Sequence, residues 1–279
     1  LQQYMPDREI TLVGMTTIGD EHTQVALSDI GGKDVFVKTL QKALLDHQAD
    51  IAVHCIKDMS VHPYPSLCLA AICQRDDPRD VFISCRYNSL DELPPQATIG
   101  TGSPRRYALL LHHYPHLRIQ LIRGNVNSRL QKLDNGDYDG LILAAAGLHR
   151  LNMQTRINQY LDPAIFIPAI AQGALGIECR ADDQRTIDYI RHLDHTPTRQ
   201  CIIAERTVNR ILLGDCHSAI GAFATLSDNQ LQLNATVLST DGKKQLCAMA
   251  QGTPSDAKNT GATVAQQLIQ QGAKALLAP

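Results

Sequence analysis

Ala97-Thr-Ile-Gly-Thr-Gly-Ser-Pro-Arg-Arg106 runs from an apolar stretch through a glycine turn into a helix start. Residues 97–100 read as a strand. Ser103 suits an N-cap and Pro104 the first helical position, so residues 103–114 read as a helix. The pattern then repeats downstream. Residues 118–122 read as a strand, 125–134 as a helix and 140–144 as a strand, with another helix starting at Gly147. Strands alternating with helices predict parallel sheets covered on both faces. Ligands in such folds meet the loops at the carboxyl ends of the strands.

Upstream, residues 9–17 read as a strand. Phe36, Leu40, Ala43 and Leu44 fall at helical spacing within 34–47, and residues 50–54 follow as a short strand. Two further apolar runs, 69–74 and 81–85, flank Arg75-Asp-Asp-Pro-Arg-Asp80, which reads as a crossing linker or hinge. Downstream the pattern changes. A helix at 198–213 precedes three strands, 219–226, 230–238 and 244–250, with turns at Asp228-Asn229 and Asp241-Gly242. A helix at 255–271 completes a small α+β domain with an antiparallel sheet.

The chain has 279 residues and 44% hydrophobic content, enough for two or three packed domains. A net charge of −2 excludes a global field for nucleic acid, so any anion site must be built locally. Aromatics are 4% and tryptophan is absent, which leaves no stacking platform for single strands. No apolar run is long enough for a transmembrane span, and no signal peptide opens the chain. The first residue is Leu1, and the opening reads as the tail of a helix whose natural start lies upstream. Eight cysteines show no C-x-x-C pair and no zinc spacing, so no metal is expected and a reduced, cytoplasmic protein is.

Several constellations carry chemistry. Leu213-Gly-Asp-Cys-His-Ser-Ala-Ile-Gly221 places Cys216 on a glycine-flanked loop between helix and strand, as a nucleophile, an attachment point or an idle thiol. His54-Cys-Ile-Lys-Asp58 sets Lys57 and Asp58 at a strand end, either for electrostatic work on a ligand or as a solvated pair. Ser103, Arg105 and Arg106 surround a helix N-terminus, as an anion site or as exposed arginines on a capped helix. Leu121-Ile-Arg-Gly-Asn-Val-Asn-Ser-Arg129 repeats that logic with Arg123, Gly124 and Arg129. Guanidinium groups bind carboxylates through two parallel hydrogen bonds, so a multiply carboxylated ligand suits both junctions. Phosphate is the other anion these junctions allow, although no Walker or dinucleotide glycine motif is present. Ile167-Pro-Ala-Ile-Ala-Gln-Gly-Ala-Leu-Gly-Ile-Glu178 holds Gln172-Gly173, a tight crossing between domains or a structural turn.

Taken in order, these segments resemble the porphobilinogen deaminase (hydroxymethylbilane synthase) family. The resemblance runs through Gly31-Gly-Lys33, Ala49-Asp-Ile-Ala-Val-His54, Lys57-Asp58, Asp76-Asp-Pro-Arg-Asp80, Arg105-Arg106 and Arg123-Gly-Asn125. It continues through Lys132-Leu-Asp-Asn-Gly136, Ala144-Ala-Ala-Gly-Leu148, Gln172-Gly173 and Gly214-Asp-Cys216. It implies two periplasmic-binding-protein-like α/β domains and a small C-terminal α+β domain with a three-stranded antiparallel sheet. Domain 1 would take residues 1–75 and 174–193, without its N-terminal part. Domain 2 would take 79–168, and domain 3 residues 197–279.

The resemblance also implies the chemistry. Four porphobilinogen molecules are deaminated and joined head to tail into hydroxymethylbilane, in haem biosynthesis, by a cytoplasmic monomer. A dipyrromethane cofactor is held by a thioether to Cys216. Asp58 hydrogen-bonds pyrrole N–H groups and steadies the cation that forms there. Lys57, Asp58, Ser103, Arg105, Arg106, Arg123 and Gly124 hold the cofactor. Arg123, Arg129, Arg150, Gln172 and Lys33 meet the substrate's acetate and propionate groups. The chain departs from the family pattern at Asp29, Asp34, Gly102 and Asp215. The other readings are a weakly active or inactive paralogue and a binding protein for a carboxylated ligand. Cys216 and Asp58 separate them from the transferase, because a simple binder needs neither.

Overall fold

The computed structural model describes residues 1–16, 37–62, 64–214 and 218–277. They form two compact units, residues 1–75 with 174–200, and residues 76–173 with 201–279.

In the first unit, α1 (Lys38–Leu45) buries Ala43 and Leu44. It leads to β1 (Ile51–Cys55), a 3-10 turn (Ile56–Asp58) and β2 (Leu67–Ile72). β8 (Leu175–Arg180) pairs antiparallel with both, in the order β1-β8-β2. Helix α5 (Gln184–Ile190) follows. Residues 9–16, expected as most of a strand, have no regular structure, and Leu12 is 93% exposed. A strand needs a partner's ladder, and no described strand of this sheet pairs with that segment.

The second unit contains the alternating block. β3 (Asp80–Ile83), β4 (Thr98–Thr101), β5 (Arg118–Leu121), β6 (Gly140–Ala144) and β7 (Gln159–Tyr160) form one sheet in the order β5-β4-β6-β3-β7. Helices α2 (Pro104–His113), α3 (Val126–Asp134) and α4 (Ala145–Arg150) alternate with them. The expected cover on both faces is present. Phe82, Ile99, Leu109 and Ile142 pack on one side, Val81, Ile83, Leu130 and Leu141 on the other.

The sheets are not all parallel, as the alternation predicted. β4 runs parallel to β5 and β6, whereas β3 runs antiparallel to β6 and β7. β3 and β8 are each entered from a segment without an α-helix. No helical crossover therefore imposes a parallel direction on them.

Residues 201–279 belong to the same unit as 76–173. β9 (Ile220–Ser227), β10 (Gln230–Leu238) and β11 (Gln245–Gly252) form the predicted antiparallel sheet. Asp228 and Asn229 both have positive φ, as a two-residue hairpin turn requires. Leu231, Leu233 and Val237 pack with Ala204 and Val208 of α6 (Thr196–Leu212). Val264 and Leu268 of α7 (Ala257–Gln270) join this core, and α8 (Ala273–Leu277) closes the chain. Glu205, fully buried, ties this part to the rest of its unit. Its carboxylate accepts from the Ala171 N–H at 2.7 Å and from the Ala224 N–H at 2.8 Å. Among the described residues no helix is long and apolar enough to cross a membrane.

Candidate active site

In the first unit the chain leaves β1 through a single 3-10 turn that carries Lys57 and Asp58. Both side chains are half-buried. No ion-pair partner of Asp58 is found among the described residues. Beneath the turn, Ile56 is buried and its N–H donates to Ala174 O. His54 and Glu178, both buried, meet at 3.2 Å, and Gln41 Nε2 donates to the other Glu178 oxygen at 3.1 Å. These contacts anchor the strand that presents Asp58.

In the second unit the junction between β4 and α2 has the predicted cap. The Ser103 hydroxyl accepts from the Arg106 N–H at 3.5 Å, with Pro104 in the first turn. Gly102 lies where a Cβ would come within 2.8 Å of Ile122 O, so the backbone there suits a residue with no side chain. The arginines are not exposed. Arg105 is 3% and Arg106 6% exposed, and both turn onto Asp80 at the start of β3. Arg105 Nη1 lies 2.7 Å from one Asp80 oxygen, and Arg106 Nη2 lies 2.8 Å from the other. Burial alone would raise the Asp80 carboxyl, but the two guanidinium groups outweigh it and hold it well below the usual carboxylate range.

Gln172 completes this cluster. Its Nε2 donates to Asp80 at 2.8 Å and to Pro78 O at 2.7 Å, while its Oε1 accepts from Arg106. The next residue, Gly173, has φ +88, and a Cβ there would lie 2.6 Å from Asp76 O. The Gln-Gly step is thus a close backbone crossing within the unit. Two arginines against one aspartate leave one positive charge in excess. Among the described residues, two Arg105 donors, Nε and Nη2, are buried without a hydrogen-bond partner.

The junction between β5 and α3 is built alike, without a buried ion cluster among the described residues. The Asn125 side chain caps the helix by accepting from the Ser128 N–H at 2.9 Å. Gly124 makes the turn with φ +108, and a Cβ there would strike Ser128 Oγ. Arg129 Nε donates to Gly124 O at 2.7 Å, holding the turn. Arg123 is half-buried, and burial draws its pKa down with no acidic partner among the described residues to oppose it. Arg150, at the end of α4, donates from Nη2 to Gly173 O at 2.7 Å and stands 4.0 Å from Asp76. Lys33 and Cys216, with Asp29, Asp34 and Asp215, lie outside the described residues.

Sequence reading did not single out Asp80, Glu178 or Glu205 as buried partners. The signal was present for the first two. Asp80 opens the apolar run Val81-Phe-Ile83, and Glu178 sits between Ile177 and Cys179. A carboxylate inside such a run requires a partner when the strand is buried.

Among described side chains, no group of three His, Cys, Asp or Glu residues stands ready to hold a metal ion. The donor set instead suits a ligand with several carboxylates.

Two solved structures align with part of the chain. It aligns with a putative methionine-binding lipoprotein from Bacillus subtilis at TM-score 0.40 and 14% identity, over 56% of this chain and 74% of that one. A periplasmic substrate-binding protein of an ABC transporter from Coxiella burnetii aligns at TM-score 0.40 and 15% identity, over 63% and 89%. Sequence comparison goes much further. Residues 1–188 match the porphobilinogen deaminase dipyrromethane cofactor binding domain, and residues 199–270 match the porphobilinogen deaminase C-terminal domain. A porphobilinogen deaminase from Coxiella burnetii is 49% identical over 98% of this chain and 88% of its own. One from Nitrosomonas europaea is 44% identical over 100% and 90%. The chain belongs to the porphobilinogen deaminase family.

Proposed function

We propose that the chain deaminates four porphobilinogen molecules and joins them head to tail into hydroxymethylbilane, using a dipyrromethane primer held on Cys216. The observation that carries this reading is the match to both family domains along nearly the whole chain. The donor chemistry supports it, because each pyrrole unit brings an acetate and a propionate. Arg123 is a half-buried cation with no acid beside it among the described residues, where two Arg105 donors are also without a hydrogen-bond partner. Dipyrromethane, when bound, supplies the pyrrole carbon to which the first substrate is joined.

The residues divide the work as follows. Arg105, Arg106, Arg123, Ser103, Gly124 and Lys57 hold the primer's carboxylates and backbone-facing edge. Arg123, Arg129, Arg150 and Lys33 hold the incoming substrate's carboxylates. Gln172 acts with Asp80 by fixing the Arg106 fork. Asp58 accepts the pyrrole N–H of the substrate and stabilises positive charge as it develops on that nitrogen. In this reading the same carboxylate also receives and returns a proton. In this reading residues 1–75 with 174–193, 79–168 and 197–279 are the three functional domains. The protein works as a cytoplasmic monomer with no nucleic acid or membrane partner, in line with its net charge of −2.

The test is an intact-protein mass combined with turnover. Wild type should exceed its sequence mass by one dipyrromethane, and Cys216→Ala should lack the increment. Asp58→Asn should keep the increment and lose most turnover. No added mass on wild type after incubation with porphobilinogen ends the primer reading. Near-normal turnover in Asp58→Asn removes Asp58 from its role.

A further inference from the structure

The first unit holds a pair of thiols that the reaction above does not use. Cys68 on β2 and Cys179 on β8 face each other directly in the antiparallel register. Both are free thiols, and their Sγ atoms are 3.7 Å apart. Directly opposed residues on antiparallel strands have Cα atoms ~4.5–5.5 Å apart, inside the ~4.4–6.8 Å span that a disulfide bridges. The directly opposed register and the Sγ separation are thus compatible with a cross-strand disulfide. The register shift between Leu69 and Ala71 lies beside the pair and gives that edge some freedom to adjust.

The two thiols differ in access. Cys68 is half-buried, whereas Cys179 is fully buried. We propose that Cys68 and Cys179 form an oxidation site at which a peroxide makes a reversible cross-strand disulfide. Cys68, as thiolate, attacks one peroxide oxygen. The O–O bond breaks, the departing oxygen takes up a proton as water, and Cys68 becomes a sulfenic acid. The Cys179 sulfur then attacks Cys68 Sγ and the S–O bond breaks. The thiol proton of Cys179 leaves with the hydroxyl as a second water. Two thiols and one peroxide thus become one disulfide and two waters.

The order of events follows from the surroundings. Cys179 is fully buried and its thiol's pKa is pushed up by that burial, so peroxide meets the half-buried Cys68 first, and Cys179 loses its proton only as its sulfur attacks. The exposed Cys85 differs, because its hydrogen-bond partner is the Asp134 carboxylate. The new bond would tie β2 to β8, whose other neighbour, β1, runs into the Lys57-Asp58 turn.

The experiment uses the holoprotein as purified. It is treated with a small excess of hydrogen peroxide, alkylated, digested and mapped by mass spectrometry. A peptide linking Cys68 to Cys179, two hydrogens lighter than the separate thiols, is expected. Alkylatable Cys68 should be lost and then restored by dithiothreitol. Cys68→Ser should abolish the link. Cys179→Ser should leave a sulfenic acid on Cys68 that dimedone traps. Both cysteines remaining alkylatable while Cys85 oxidises overturns the proposal, as does a link from Cys68 to any other cysteine. The wild-type map decides even where the buried Cys179→Ser variant fails to fold. Its readout is independent of turnover, so it stands or falls apart from the transferase reading.

Discussion

The two strand–helix junctions of the second unit read almost alike, yet they end in different states. Each has a polar N-cap and arginines in or beside the first helical turn. After β4, Arg105 and Arg106 are buried and bound to Asp80. After β5, Arg123 is half-buried with no acid beside it among the described residues. Position in the sheet makes the difference. β4 lies between β5 and β6, so its helix start faces β3 and the 167–172 segment. β5 is the edge strand of that sheet. The interior junction is a buried ion cluster, whereas at the edge junction Arg123 has no acidic partner among the described residues.

The sharpest way to break this comparison is Asp80→Ala. It leaves two buried guanidinium groups together and should cost ~3–5 kcal/mol in denaturant unfolding. A loss no larger than that of a surface substitution would show the interior junction to be as open as the other. Arg123→Ala tests the edge junction from the opposite side. Its stability should stay within ~0.5 kcal/mol. Its kcat/KM should fall by ~1.5–3 kcal/mol, about 10- to 150-fold, if it bonds a substrate carboxylate. Equal loss of stability and activity would erase the distinction.

Acid titration gives an intermediate effect. The Asp80 carboxyl is depressed in the folded state relative to an unfolded value near ~3.9. Its stabilisation is fully present above that value and is lost as pH falls through the lower folded one. Unfolding free energy of wild type should therefore drop below about pH 4, and the drop should be shallower in Asp80→Asn. Identical acid limbs would mean that other carboxylates carry the effect. The smallest expected change is Asn125→Ala, ~1 kcal/mol from the lost cap. It should leave Arg105 and Arg106 undisturbed, as seen by unchanged retention of the primer mass.

Much of this was legible in the sequence. The Ser103–Pro104 and Asn125 helix starts, the Asp228-Asn229 hairpin and the alternation of 97–144 are local signals, and each appears where the pattern places it. What local patterns missed involves partners far apart in the chain. Arg106 meets Gln172 and Asp80 across 66 and 26 positions. Glu205 reaches Ala171, and His54 reaches Glu178. Strand direction was misread for the same reason, because β3 and β8 take theirs from the neighbours they join.

Residue chemistry along the chain determined the helix starts, the turns, the supply of arginines and the family. Those depend on contacts within a few residues, and on motifs whose order needs no coordinates. Only the tertiary structure decided which arginines bind an internal carboxylate, and that two cysteines 111 positions apart touch. Burial and sheet position set the strength of a charge and the reach of a thiol, and both exist only once distant segments have packed.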